Sequence, residues 1–183
     1  MLPEVRTLVQ RAVAHRFALE GLFDALPESY WERGAPGDAW SARNHLQHLA
    51  TVEAVLVEDL GRVVDGANDL WLGGAADAAL FHERRAANME AVSDLPCAAL
   101  RAEMSANRAH AVNTLGALTA DHMEASLRIP GVVDRWGQHV RYSLREYLTS
   151  WPNHDVAHES AIRAAISAPP DLSAVALTRR HRS

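Results

Sequence analysis

The chain has 183 residues, 48% of them hydrophobic, a formal net charge of −5 and a pI near 6.0. That length supports one sizeable core and asks for no second domain, and no apolar stretch reaches the roughly 20 residues of a membrane span. An acidic balance with basic residues spread along the chain argues against nucleic acid as a partner, and the single cysteine, Cys97, excludes an internal disulfide and a thiolate metal cluster.

A lone thiol fits a reducing cytosol, and Glu4 and Arg6 stand where the apolar core of a signal peptide would be, so a cytoplasmic protein is expected. The first predicted helix covers residues 3 to 26, where Val5, Leu8, Val9, Val13, Phe17, Leu22, Phe23 and Leu26 fall near a 3.6-residue stripe. PESYWERGAPGDAW has two prolines, two glycines and no periodicity, and reads as a loop. Ser41 suits an N-cap, because its hydroxyl can accept an orphan backbone N–H. The helix it opens shows Leu46, Leu49, Leu56, Leu60, Val63 and Val64 on one side and ends near Gly66.

NDLWLGGAAD reads as a second loop, followed by a short polar helix through ALFHERRAANMEAVSD. Pro96 opens a third long helix, apolar at Leu100, Met104, Val112, Leu115 and Leu118 and running to about residue 122. EASLRIPGVVDRWGQHVRY forms a small β-hairpin or an irregular crossover, the alternation being too short to separate the two. The fourth long helix begins at SLRE, where Ser143 and Glu146 fit a capping box, and runs through Ile166. Four long amphipathic helices without βαβ alternation predict an all-α four-helix bundle over residues 1 to 168, with a mobile tail over 169 to 183.

The chemistry concentrates in WPNHDVAHESAI, residues 151 to 162. His154 and His158 stand one helical turn apart, close enough for both imidazoles to reach one divalent ion. Chance placement of ten histidines gives roughly half such a pair, so spacing alone decides little. The context says more: Tyr147, Trp151, His154 and His158 share one stripe, and aromatic stripes face a core or a cleft. Pro152 inside the helix cannot donate to the carbonyl of Leu148, which predicts a kink beside the histidines and a freed carbonyl for a water or substrate. Bundle metal sites take a spaced pair from one helix and single ligands from another, and His48 lies at the edge of the buried face of helix two, whereas His45 turns further toward solvent. Arg108 and Asn107 on helix three line a pocket or are solvated. His82, His110, His122 and His139 lack ligand spacing and read as surface residues. Cys97 reads as a small buried hydrophobe rather than a nucleophile. A zincin-like reading of HDVAH would need Asp155 as base and His181 as third ligand; the better reading turns Asp155 outward.

WSARNHLQHLATVE (40 to 53) and YLTSWPNHDVAHESAI (147 to 162) resemble the two signature regions of the DinB-like superfamily of metal-binding four-helix bundles. In that family a Trp precedes a helix-two histidine by eight residues, as Trp40 precedes His48, and helix four carries HxxxH, as at His154 and His158. DAALFHERRAANMEAVSDLPCAALRAEM is similar to the actinobacterial branch that contains mycothiol-dependent maleylpyruvate isomerase. The resemblance implies that His48, His154 and His158 bind Zn²⁺ or Ni²⁺ with positions left open. Such an ion can hold a bound thiol as thiolate or ionise a water near neutral pH. The expected function is activation of a low-molecular-weight, mycothiol-type thiol for transfer to, or isomerisation of, a small electrophile. Tyr147, Trp151 and Arg108 are the substrate-side candidates, and an exposed apolar bundle face would support a homodimer. A metal-dependent hydrolase and a non-catalytic metal- or ligand-binding bundle are the alternatives.

Overall fold

The computed structural model of the protein describes residues 1–34 and 40–167; the tail expected over residues 169 to 183 lies outside them. Helix α1, Pro3–Ala25, opens with proline in its first turn, where a missing N–H costs nothing. Its inner face is rotated from the predicted stripe: Val5, Ala12, Arg16, Leu19, Leu22 and Phe23 are buried, whereas Val13 and Phe17 are exposed, Phe17 by 79%. Helix α2, Ala42–Val64, starts from a capping box in which Ser41 and Asn44 satisfy each other's backbone N–H groups. Leu46, Leu49, Leu56, Leu60 and Val63 are buried as expected, but Val64 is exposed.

The predicted loop after α2 contains strand β1, Asp69–Trp71, ending in a turn where Gly73 and Gly74 both adopt positive φ. Helix α3, Ala78–Glu90, buries none of its residues fully and lies over α2. Helix α4, Cys97–Gly116, packs most extensively on α2 and stops earlier than residue 122. The reason is local: the Thr119 hydroxyl accepts from the His122 N–H, and the His122 ring accepts from the Thr119 N–H, so a separate turn starts there.

The hairpin exists, as β2, Ser126–Val133, and β3, His139–Ser143, and β1 adds to it in parallel, giving the sheet order β1-β2-β3. The expected fourth long helix is two helices, α5, Leu144–Ser150, and α6, Asn153–Ser167, with the Ser143–Glu146 capping box at its start. Pro152 therefore divides the helix rather than kinking it. Trp151 N–H bonds Leu148 O at 3.3 Å and His154 N–H bonds Trp151 O at 3.1 Å, the tighter spacing of a 3₁₀ turn. The carbonyl freed by Pro152 is thus retaken within the chain, and the carbonyl of Pro152 itself accepts from His15 Nδ1 at 2.6 Å.

The architecture is mainly helical, α1, α2, α4 and the α5–α6 pair forming the bundle around two apolar clusters. One gathers Leu60, Leu115, Met123, Leu127 and Leu148 beside the sheet, and the other Leu19, Leu46, Leu49, Leu100 and Ile162. No helix among the described residues is long and apolar enough to cross a membrane.

Candidate metal centre

The Ser41 cap fixes the start of α2 and thereby the rotation that places His48 in its second turn, 7% exposed, facing α6. His154 and His158 come from the first two turns of α6 and are half-buried. Their Nε2 atoms converge, 3.3 Å between His48 and His154 and 3.2 Å between His154 and His158, and one ligand atom from each ring lies within 4.8 Å of the others.

A ring nitrogen offers either one proton or one lone pair, so Nε2 of His154 can serve only one of its two neighbours by hydrogen bonding. A cation accepts all three lone pairs together. Two imidazoles about 2.0–2.1 Å from a tetrahedral ion stand about 3.3–3.4 Å apart, so the observed spacing fits a divalent metal. Burial pushes the His48 imidazole down to about 3, helped by His154, Arg85 and His45. Burial, then His154, His48, His45 and Arg16, takes His158 down to about 2. His154 is lowered as well, chiefly by burial, against an opposing pull from Asp155. All three rings are neutral at pH 7, the form that ligates a metal.

Two expectations about neighbouring residues are corrected. His45 is 4% exposed rather than turned to solvent, because the Trp40 ring closes over it at 5.4 Å; its Nδ1 lies 2.8 Å from Nδ1 of His158. Trp40 also stacks on His158 and tilts against His48, which gives the eight-residue Trp-to-His spacing a physical meaning. Asp155 is 1% exposed rather than outward-facing. It accepts from Arg16 through both oxygens at 2.9 and 3.0 Å, and from Arg108 at 2.9 Å. A carboxylate so occupied cannot act as a zincin base, and His181 lies outside the described residues.

Arg108 is likewise turned into the bundle, 7% exposed, rather than lining the cleft between α2, α3 and α5. Its guanidinium bonds Glu53 at 2.6 Å, Asp155 and the Ala12 carbonyl, and lies 4.7 Å from the centre of the Trp151 ring. Arg16, Glu53, Arg108 and Asp155 form a buried, charge-balanced cluster that joins α1, α2, α4 and α6. Arg16, Glu53 and His45 were missed as partners of the site. The signal existed for the charges: each lies in phase with the apolar stripe of its own helix, as in Leu46, Leu49, Glu53, Leu56 and Leu60. Asn107 is tied to the Ala50 carbonyl at 2.8 Å, and Cys97 is half-buried with Arg43 3.3 Å from its sulfur.

His48 and His154 open onto a cleft of about 720 Å³ between α2, α3 and α5. Tyr147 and Trp151 line it, with Phe81, Ile129 and Leu72 adding apolar wall and Arg62, Arg84 and Arg85 adding positive charge. Burial, then the carboxylates of Asp59 and Glu53, pushes the Tyr147 hydroxyl up, so it stays protonated and able to donate. His82, His110 and His139 are exposed and lie outside this group.

The sequence matches the family model of the DinB superfamily over residues 11–162. Among curated proteins none matches it. Among solved structures, the fold is similar to that of YfiT from Bacillus subtilis, a probable metal-dependent hydrolase with an unusual four-helix bundle topology. The TM-score is 0.66 at 13% identity, over 89% of this chain and 86% of that one. It is similar also to the mycothiol-dependent maleylpyruvate isomerase, with a TM-score of 0.66 at 14% identity over 88% of this chain. The match spans 61% of the isomerase chain. With the family match reaching from α1 into α6 and the same bundle found in solved structures, the chain belongs to the DinB superfamily.

Proposed function

We propose that the protein is a metal-dependent enzyme in which His48, His154 and His158 hold a divalent ion, Zn²⁺ or Ni²⁺, and a low-molecular-weight thiol of the mycothiol type is joined to, or isomerises, a small electrophile. The observation that carries this is the convergence of three neutral imidazoles, two of which, His48 and His154, line a cleft of about 720 Å³. An ion held by three neutral ligands keeps its full 2+ charge and supplies Lewis acidity that brings a thiol or a water close to ionisation at neutral pH.

The chain's own residues supply the rest. Trp40 and the buried cluster around Asp155 fix the ligand rings, and Phe81, Tyr147 and Trp151 exclude water from one side of the cleft. The cleft is in the size range of small-molecule sites and has room for a thiol beside its electrophile. Hydrolysis is the second reading, favoured by the mutual coverage of nearly nine-tenths with YfiT.

A nucleophile competition separates the two. The metal-loaded protein is given one activated electrophile with water alone, then with mycothiol, glutathione or cysteine, and the product is identified by mass spectrometry. The thiol reading expects thiol adduct or thiol-dependent isomer above the uncatalysed rate, lost in His154→Ala. Turnover independent of thiol supports the hydrolase, and no turnover by a fully loaded site contradicts both.

A further inference from the structure

His45 is not among the three converging rings, yet it touches one of them more closely than they touch each other. Its Nδ1 stands 2.8 Å from Nδ1 of His158, against 3.2 Å from Nε2 of His158 to Nε2 of His154. Two neutral imidazoles at that distance share one proton: one ring donates and the other accepts. If His158 donates from Nδ1, its Nε2 carries a lone pair directed at His48 and His154. If His45 donates, His158 holds its proton on Nε2, in the middle of the cluster. There the proton would occupy the lone pair that a metal needs, at the point where Nε2 of His48 and of His154 also converge.

We infer that His45 is a positioning residue that accepts the Nδ1 proton of His158, locking that ring in the tautomer and rotation that present Nε2 to a metal. Trp40 completes the clamp: its ring stacks on His158 with an interplanar angle of 10° and meets His45 edge-on. His158 is thus held on its face by an indole and at its far nitrogen by an imidazole. In this pairing His45 carries its own proton on Nε2. A ligand histidine usually donates its second nitrogen to a carboxylate or a carbonyl, and loss of that acceptor lowers metal affinity by about 10–100-fold. An imidazole in this place adds no negative charge, so the full 2+ charge of the ion is retained.

The inference rests on the metal reading, but its first test does not need the metal. Long-range ¹H–¹⁵N spectra of the metal-free protein assign the ring tautomers. The expected result is His158 protonated at Nδ1 and His45 at Nε2; a proton on Nε2 of His158 overturns the inference even if metal binds elsewhere in the cluster. The second test compares Zn²⁺ affinity by chelator competition in His45→Phe and His45→Asn. Phenylalanine keeps the buried ring and removes the acceptor, whereas asparagine loses the ring and offers an oxygen near the position of Nδ1. Affinity should fall by about 10–100-fold in the Phe variant and be largely recovered in the Asn variant. A residue needed only for packing would give the reverse order. Wild-type affinity in His45→Phe, or a larger loss in Asn than in Phe, contradicts the role. A wild type that binds no Zn²⁺ defeats the metal reading, and the tautomer then decides this one.

Discussion

One residue separates a metal-ligand candidate from a buried carboxylate: His154 faces the cleft and Asp155 faces the interior. Both orientations follow from one rotation of α6, and Asp155 fixes it, because its two oxygens take three charged hydrogen bonds from Arg16 and Arg108. Charged hydrogen bonds without water between the partners are strong, and removing one member of such a group leaves the others uncompensated. Asp155→Asn keeps the shape and removes the charge, leaving two guanidiniums to Glu53 alone. We expect it to destabilise the metal-free protein by about 3–5 kcal/mol, read as a lower urea midpoint. A loss below about 1 kcal/mol would mean that the cluster is solvated in solution. The cluster was legible in part. Arg16, Glu53 and Arg108 each interrupt an apolar stripe in phase, which already requires burial with a partner. That Asp155 belonged to this set and not to the surface was hidden, because the stripe through Tyr147, Trp151, His154 and His158 is the stronger pattern and leaves Asp155 off it. The histidines were legible in spacing, but His45 was not. Its burial depends on Trp40, a residue of the preceding loop whose position no helical periodicity reports.

At the scale of elements, the break at Trp151–Pro152 sets where the ligand pair stands relative to the cleft. Proline removes the N–H that would have continued α5, and the chain re-forms a helix after a 3₁₀ turn. The break is held from both sides, by the Ser143–Glu146 box on α5 and by the anchoring of Asp155 on α6. His15 on α1 adds a third tie at the Pro152 carbonyl. Pro152→Ala should therefore keep the break. Stability falls by less than about 1 kcal/mol, through the larger entropy of the unfolded chain, and Zn²⁺ affinity stays within about threefold of wild type. A rise in helix content by circular dichroism with loss of metal binding would show instead that proline alone maintains the geometry. A proline in a helical pattern announces an interruption; whether the helix kinks or divides is decided by partners on other elements, such as His15, which a local reading does not contain.

For the whole molecule, the bundle was readable because its four apolar stripes are long and their period is unambiguous. The sheet was not. β1 has three residues, too few for an alternation, and its partner Ser126–Arg128 lies far along the chain. The exposed Phe17 shows the same limit from the other side, since a stripe gives the period of a helix but leaves its rotation uncertain by a residue either way. What the bundle achieves is to bring one histidine of α2 and two of α6 to a single point beside a cleft. The central claim is that this point holds a metal, and metal content tests it most directly. Protein prepared without chelators, or loaded with Zn²⁺ or Ni²⁺ and desalted, should carry about one ion per chain by elemental analysis. His48→Ala, His154→Ala and His158→Ala should each remove it while the variants remain folded, and His139→Ala should not. A folded wild type that is metal-free and cannot be loaded, or alanine variants that bind as well as wild type, would contradict the account.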